Sequence, residues 1–199
     1  MFNHELSKER VMQAASLSID TDEELAWRAT QEVEAFQELY LRYKLPVYRY
    51  HIVWTGNEQA AQILTSQTFL EAYVRITSYR FGGRFVKRLF EIANYIRGNH
   101  LHKWEDNFSQ DAPFDNPGNG LMPETGAGFQ TEIRKIAWAI HGLTNDMAEA
   151  IALRFFAGLN VSEIGQIMVK SDAAVKMLVY RGLSDLKVRL FPKMEFQND

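Results

Sequence analysis

The segment VSEIGQIMVKSDAAVKMLVYRGLSDL carries polar and small apolar residues whose types and spacing suit contact with DNA. Lys176 and Arg181 can neutralise backbone phosphates, while Ala174 and Met177 can touch the methyl groups of thymine. If this stretch is helical, Lys176, Met177 and Arg181 lie largely on faces other than that of its apolar stripe. The residues predicted to contact DNA here are Ser171, Asp172, Ala174, Lys176, Met177, Tyr180 and Arg181.

Two short helices with a tight turn must position these residues. Asn160 followed by Glu163 forms a capping-box pattern, and Ser171 after the turn is a natural N-cap for the second helix. An apolar stripe would dock that helix: Val175, Val179, Gly182 and Leu186. The upstream stretches IRKIAWAIHGL and NDMAEAIALRFF add two helices, and Gly158 ends the second of them. The sequence therefore predicts a four-helix domain over 131–193 that ends in a helix-turn-helix. An ordinary helical hairpin with solvated charges is the alternative.

The first half of the chain also has helical periodicity and shows no sustained strand alternation. Long helices are expected in VEAFQELYLRYKLPVYRYHIVW, AAQILTSQTFLEAYVRI and VKRLFEIANYIRGNHL, with a kink or a fresh start at Pro46. The glycine-containing loop SYRFGGRF lies before the third helix. Aromatic side chains there could stack on unpaired bases. A second set of residues predicted to face DNA is Tyr79, Arg80, Phe81, Arg84, Lys87, Arg88, Tyr95 and Arg97.

Charge alternates along the chain in blocks that coincide with these boundaries. The net charge of −3 conceals a local +6 over residues 35–103, −5 over 104–130 and +3 over 131–193. The acidic block contains three of the five prolines and has no helical period, so it is predicted to be a flexible linker. The predicted organisation is all-α: an N-terminal extension (1–20), a helical bundle (21–103), an acidic linker (104–130), a helix-turn-helix domain (131–193) and a tail (194–199).

Several function classes are excluded or disfavoured. The absence of cysteine rules out disulfides and cysteine-based metal sites, and His100 and His102 do not share a helix face. FGGR lacks the lysine of a phosphate-binding loop. We expect no enzyme activity, no cofactor and no metal. The polar N-terminus and the lack of a long apolar run predict no membrane insertion and a cytoplasmic location.

The segment GLNVSEIGQIMVKSDAAVKMLVYRGLSDL resembles the region-4 helix-turn-helix of bacterial RNA polymerase sigma factors of the extracytoplasmic-function (ECF) group. Residues that match the pattern are Glu163, Ile164, Ser171, Val175, Lys176 and Arg181. More loosely, EAFQELYLRYKLPVYRY, SQTFLEAYVRI and GRFVKRLFEIANYIRGNHLHK are similar to region 2. The resemblance covers about 25–103 and 131–190.

This resemblance implies a transcription initiation factor that binds core RNA polymerase and the −10 and −35 promoter elements. The first module would bind the polymerase clamp and the start-proximal −10 element, and the second would bind the upstream −35 element. The resemblance implies clamp contacts by Leu64, Gln67, Phe69 and Leu70. It also implies an acidic linker running through the polymerase interior and a regulatory anti-sigma factor as a further partner.

The chain departs from the family pattern at several positions. Ile63 and Gln67 stand where acidic residues are usual, Arg88 replaces a common tryptophan of the promoter-facing helix, and Val169 replaces a common glycine in the turn. Two alternatives therefore remain. One is a degenerate sigma-like regulator that binds polymerase without opening promoters, and the other is a free-standing helix-turn-helix regulator.

Overall fold

The computed structural model describes residues 20–80, 84–105 and 127–191, and these residues form helices without any strand. The predicted all-α class is confirmed. Eight α-helices follow one another: α1 (Asp22–Arg28), α2 (Val33–Thr55), α3 (Glu58–Ile76), α4 (Phe85–Glu105), α5 (Ala127–His141), α6 (Asn145–Ile151), α7 (Val161–Met168) and α8 (Asp172–Leu190). A single π-helical turn, Ala152–Phe156, extends α6.

Helices α2 and α3 of the first module form an antiparallel hairpin, because only two residues connect them. Gly56 ends α2 in the left-handed conformation, with φ 58°, and the Asn57 side chain caps α3 by accepting from the Ala60 amide at 2.9 Å. Helix α2 continues through Pro46, so the fresh start expected there does not occur.

Helix α1 was not among the predicted elements, although the sequence carries its start signal. Thr21 and Glu24 form a complete capping box, with the Glu24 carboxylate accepting from the Thr21 amide at 2.8 Å. Leu25 and Ala26 of α1 are fully buried against the first module. The helix is short, so its periodicity is weak, and the threonine–glutamate spacing is the signal that could have found it.

The predicted linker boundaries need correction at both ends. Helix α4 extends to Glu105 and α5 begins at Ala127, so both helices enter the stretch that composition assigned to the linker. Composition marks where a segment cannot fold, but it does not mark the residue at which a helix ends. The predicted N-terminal extension and tail lie outside the described residues, apart from Asp20.

The two modules share one hydrophobic core. Leu39, Val53 and Phe90 of the first module belong to the same buried cluster as Ile151 and Leu153 of the second. Helix α2 packs against α5 and the π-helical turn, and α4 packs against α7. The sequence predicted two separate domains, whereas the structure holds them together.

His51 is a fully buried polar residue of the first module. Its Nε2 lies 3.0 Å from the Thr68 hydroxyl, which itself donates to the Leu64 carbonyl at 2.7 Å. The Thr68 oxygen must therefore accept from Nε2, which leaves Nδ1 as the deprotonated nitrogen. Nδ1 is buried without a partner. Burial, together with the nearby Arg97 charge, lowers the pKa of His51 from 6.5 to about 3.

Acidification is expected to destabilise the fold through His51. Between pH 6.5 and 3 the unfolded chain binds a proton at His51 that the folded chain does not, so stability falls as pH falls. From pH 6.5 to 5 this group contributes a loss of about 2 kcal/mol, at 1.36 kcal/mol per pH unit. Urea unfolding at several pH values measures the loss. The His51→Gln variant should lose less stability over this range, and an equal loss in both proteins would contradict the assignment.

Candidate nucleic-acid interface

The helix-turn-helix is built from local signals that the sequence carries openly. Asn160 and Glu163 complete their capping box, with the Glu163 carboxylate accepting from the Asn160 amide at 2.7 Å. Ser171 caps α8 by accepting from the Ala174 amide at 3.3 Å. A Cβ on Gly165 would lie 2.7 Å from the Lys170 carbonyl oxygen, so this position of α7 has no room for a side chain. The predicted helix boundaries are confirmed.

The turn contains a strained residue at Val169, which adopts the left-handed conformation with φ 55° and ψ 48° and is exposed. We expect Val169→Gly to raise the free energy of unfolding by about 1 kcal/mol, because a left-handed backbone costs an L-residue ~1–2 kcal/mol and the flexibility of glycine offsets part of this. Urea denaturation measures the gain. Val188→Gly on right-handed α8 is the matched control and should be destabilising. A loss of stability in Val169→Gly would contradict the strain.

Helix α8 docks by the predicted stripe and exposes the predicted DNA-contact face. Val175 and Gly182 are buried, and a Cβ on Gly182 would lie 2.9 Å from Ile151, so the helix packs closely on α6. Six predicted residues lie exposed around the opposite side: Ser171, Asp172, Lys176, Met177, Tyr180 and Arg181. Ala174 is half-buried. The structure therefore brings the predicted set together on one accessible face.

The predicted DNA-facing cations of the first module lie at the start of α4 and just before it. Arg80, Arg84 and Arg88 are exposed and Lys87 is half-buried, while Tyr95 is 62% exposed. A cavity of about 400 Å³ opens between α3 and α4, and its lining includes Arg75, Arg88, Ile92 and Tyr95. Phe81 lies outside the described residues.

Two members of this set are corrected by their burial and contacts. Tyr79 is only 7% exposed, and its ring packs beside Phe85 with the Arg88 guanidinium 5.4 Å from the ring centre. Burial raises the pKa of Tyr79 to about 12. Arg97 forms an ion pair with Glu149 of the second module at 3.2 Å. In this conformation neither the Tyr79 ring nor the Arg97 guanidinium is available to DNA.

The residues predicted to bind polymerase divide between two sides of α3. Leu64 and Phe69 are buried in the first module, so their assignment as partner contacts is wrong. Gln67 and Leu70 are exposed, as the prediction requires. They belong to an exposed stripe that the sequence reading missed, which we call the α3 stripe: Ile63, Gln67, Leu70 and Val74. The signal was a second series at four- and three-residue spacing on the same helix, apolar at three of its four positions.

Comparison with known proteins places this geometry in a family. The sequence model described as "Sigma-70, region 4" matches residues 139–188, which include α7 and all but the last two residues of α8. The ECF RNA polymerase sigma factor BldN of Streptomyces coelicolor is 32% identical over 164 residues, covering 81% of this chain and 62% of that protein. Residues 139–188 belong to the sigma-70 region 4 family, and most of the chain is similar to ECF sigma factors.

Two further comparisons extend this sigma-factor assignment beyond region 4. The ECF sigma factor SigM of Bacillus subtilis is 29% identical over 156 residues, covering 75% of this chain and 91% of that protein. The solved structure of CnrH in complex with the cytosolic domain of CnrY has a TM-score of 0.66 at 20% identity, covering 87% of this chain and 99% of that one. The all-α fold of both modules is therefore shared with CnrH.

Two kinds of feature are absent from the described part of the chain. No group of three or more histidine or acidic residues within it could hold a metal ion. No helix among the described residues is long and apolar enough to cross a membrane. The sigma factors to which the chain is similar form a non-enzymatic family of transcription proteins.

Proposed function

We propose that this chain is an ECF sigma factor that directs RNA polymerase to specific promoters in transcription initiation. The observation that carries the proposal is the exposed face of α8, where Lys176, Tyr180 and Arg181 stand opposite the docked stripe. A helix placed in this way by a helix-turn-helix can enter the major groove with its N-terminal residues toward the base edges. We assign this face to the upstream −35 element.

The first module would bind the start-proximal −10 element after its strands separate. The exposed guanidinium groups of Arg80, Arg84 and Arg88 supply phosphate contacts. The cavity between α3 and α4 has room for an unstacked base and carries the Tyr95 ring at its edge. Stacking of a base on an aromatic side chain contributes ~1–3 kcal/mol. Arg88 is a cation where the family usually has tryptophan, so a larger share of this binding would be electrostatic.

The α3 stripe is the surface that we assign to the polymerase clamp. Ile63, Leu70 and Val74 are each more than half exposed, although they are apolar. A continuous series of exposed apolar residues is typical of a surface that binds another protein. Docking here would be more hydrophobic than in relatives with acidic residues at these positions.

Binding to core polymerase would also explain how a protein of net charge −3 can bind DNA. A factor bound to polymerase does not need to supply every phosphate contact, and an acidic linker of local charge −5 complements a cationic channel. A cytoplasmic location and control by an anti-sigma factor complete the proposal.

The test is run-off transcription with purified core polymerase, the full chain and pooled promoter-containing fragments from its host. Discrete transcripts that require this protein are expected. Co-elution with core polymerase but no transcript would favour the degenerate regulator. Binding to a palindromic DNA as a dimer, without polymerase binding, would favour the free-standing regulator and overturn the proposal.

A further inference from the structure

A buried polar cluster joins the two modules at the centre of their interface. Glu149 of α6 accepts a hydrogen bond from the Tyr50 hydroxyl of α2 at 2.9 Å and an ion-pair contact from Arg97 of α4 at 3.2 Å. Tyr50 is fully buried and Glu149 is 8% exposed. One carboxylate of the second module therefore lies between two partners of the first.

Two further contacts in the cluster involve Trp54 of α2. The Arg97 guanidinium also lies 3.7 Å from the ring centre of Trp54, close enough for a cation–π contact. His141 of α5 contacts the Trp54 carbonyl through Nε2 at 2.8 Å. Five residues therefore join α2 and α4 to α5 and α6, and only Glu149 balances the charge of Arg97 in the cluster.

Buried charges of this kind favour one defined arrangement of the two modules over partly separated ones. An ion pair that has lost one partner leaves the other charge uncompensated in a low-dielectric interior. When the modules separate, by contrast, both groups reach water and are solvated. The cluster therefore favours two states, fully closed and fully open, over partial separation.

The closed state places the second module beside the proposed start-proximal DNA surface. Helix α7 packs against α4, and Glu163 and Gln166 of α7 line a shallow cavity with Arg84 and Lys87. Glu23 of α1 faces the same cavity. Two carboxylates therefore lie where a phosphate would approach these cations. The outer face of α8 remains exposed.

We propose that Tyr50, Arg97 and Glu149 form an autoinhibitory latch, which keeps α7 against α4 and must open before the first module binds the start-proximal strand. The masking, by which α7 covers the DNA-binding cations of α4 in the closed state, rests on the proposed function. The latch itself does not. Free chain would contact upstream DNA through α8 while its first module is still covered. Release of the latch also frees Arg97 for DNA.

Energy transfer between the modules tests the latch directly. The chain contains no cysteine, so dyes can be placed on Ser66→Cys of α3 and Ser184→Cys of α8 without background. Glu149→Gln should raise the open fraction at least tenfold, and the milder Tyr50→Phe should raise it less. Glu132→Gln, which replaces an exposed acid of α5 that pairs with Lys135, is the matched control and should change nothing. Unchanged energy transfer in Glu149→Gln, with helicity retained, would overturn the latch.

A covalent lock provides the opposite perturbation. An added Cβ on Gly56 would lie 3.3 Å from the Cβ of Ala137, near the separation that a disulfide bridges. Oxidised Gly56→Cys/Ala137→Cys should bind a single-stranded start-proximal oligonucleotide at least tenfold more weakly than the same protein after reduction. The Gly56→Ser/Ala137→Ser control reports the strain of a side chain at φ 58° and should not respond to oxidant.

The two experiments separate the latch from the proposed function. Opening of Glu149→Gln with a matching gain in oligonucleotide binding supports both the latch and the masking. Opening without any gain overturns the masking. A chain that opens as expected but initiates no transcription with core polymerase refutes the proposed function and leaves the latch established.

Discussion

Replacing both Lys176 and Arg181 with alanine is expected to abolish promoter-directed transcription while leaving the fold intact. Both side chains are exposed on the outer face of α8 and pack against nothing in the core, so the stability change should stay within about 0.5 kcal/mol. A contact to a base or phosphate contributes ~1–3 kcal/mol, so losing two lowers promoter affinity by about 30-fold or more. Run-off transcription and fluorescence anisotropy with promoter DNA measure the loss.

The salt dependence distinguishes lost phosphate contacts from a general loss of folding. Each phosphate contact contributes ~0.9 to the slope of log affinity against log salt concentration, so the slope should fall by about 2 if both residues contact phosphates. Lys135→Ala, which removes an equally exposed cation from α5, is the matched control and should retain transcription. Full activity in the double variant would contradict the assignment of α8 to the upstream element.

The second large effect is expected on the α3 stripe. Leu70→Asp and Val74→Asp should together weaken binding to core polymerase by about 100-fold or more, because residues at the centre of an interface contribute ~2 kcal/mol or more each. Both side chains are over 60% exposed, so the folded chain should tolerate the charges. Co-elution with core polymerase and a titration by fluorescence measure the loss.

Neighbouring residues on α3 give a sharp contrast with this prediction. Phe69→Ala should destabilise the fold by ~3–5 kcal/mol, because Phe69 is 4% exposed and its ring packs edge-on against Tyr40 with centres 4.8 Å apart. Val188→Asp on α8 carries the same new charge on an equally exposed valine and should bind core polymerase normally. Normal binding by the α3 double variant would move the docking surface elsewhere.

The closed arrangement changes how these measurements should be compared. The α3 stripe and the outer face of α8 are exposed in the free chain, so variants there act on the first encounter with polymerase or DNA. Arg84 and Lys87 lie beside α7, and their contribution should become measurable only after opening. Substitutions of these two residues should therefore reduce DNA binding more in the Glu149→Gln background than in the native chain.

The helix-turn-helix could be predicted residue by residue because its determinants are local. Caps such as Asn160 and Ser171 act within three residues of their own position, and the docked stripe of α8 follows from helical spacing alone. The same locality explains why Lys176 and Arg181 were placed correctly on the outer face. The departure at Val169 was visible only against the family pattern, and the structure shows why glycine suits this position, since Val169 is left-handed with φ 55°.

Tertiary structure alone decided what the first module exposes and how the modules meet. Helix α3 carries apolar residues on two sides, so periodicity could not tell which of Leu64 and Leu70 faces the core. Arg97 looked like a free cation because its partner Glu149 lies in another module, and Tyr50 is 99 residues from that same carboxylate. A single sequence shows the local spacing of residues, but it does not show which distant charges are buried together. Those buried pairs determine the closed state.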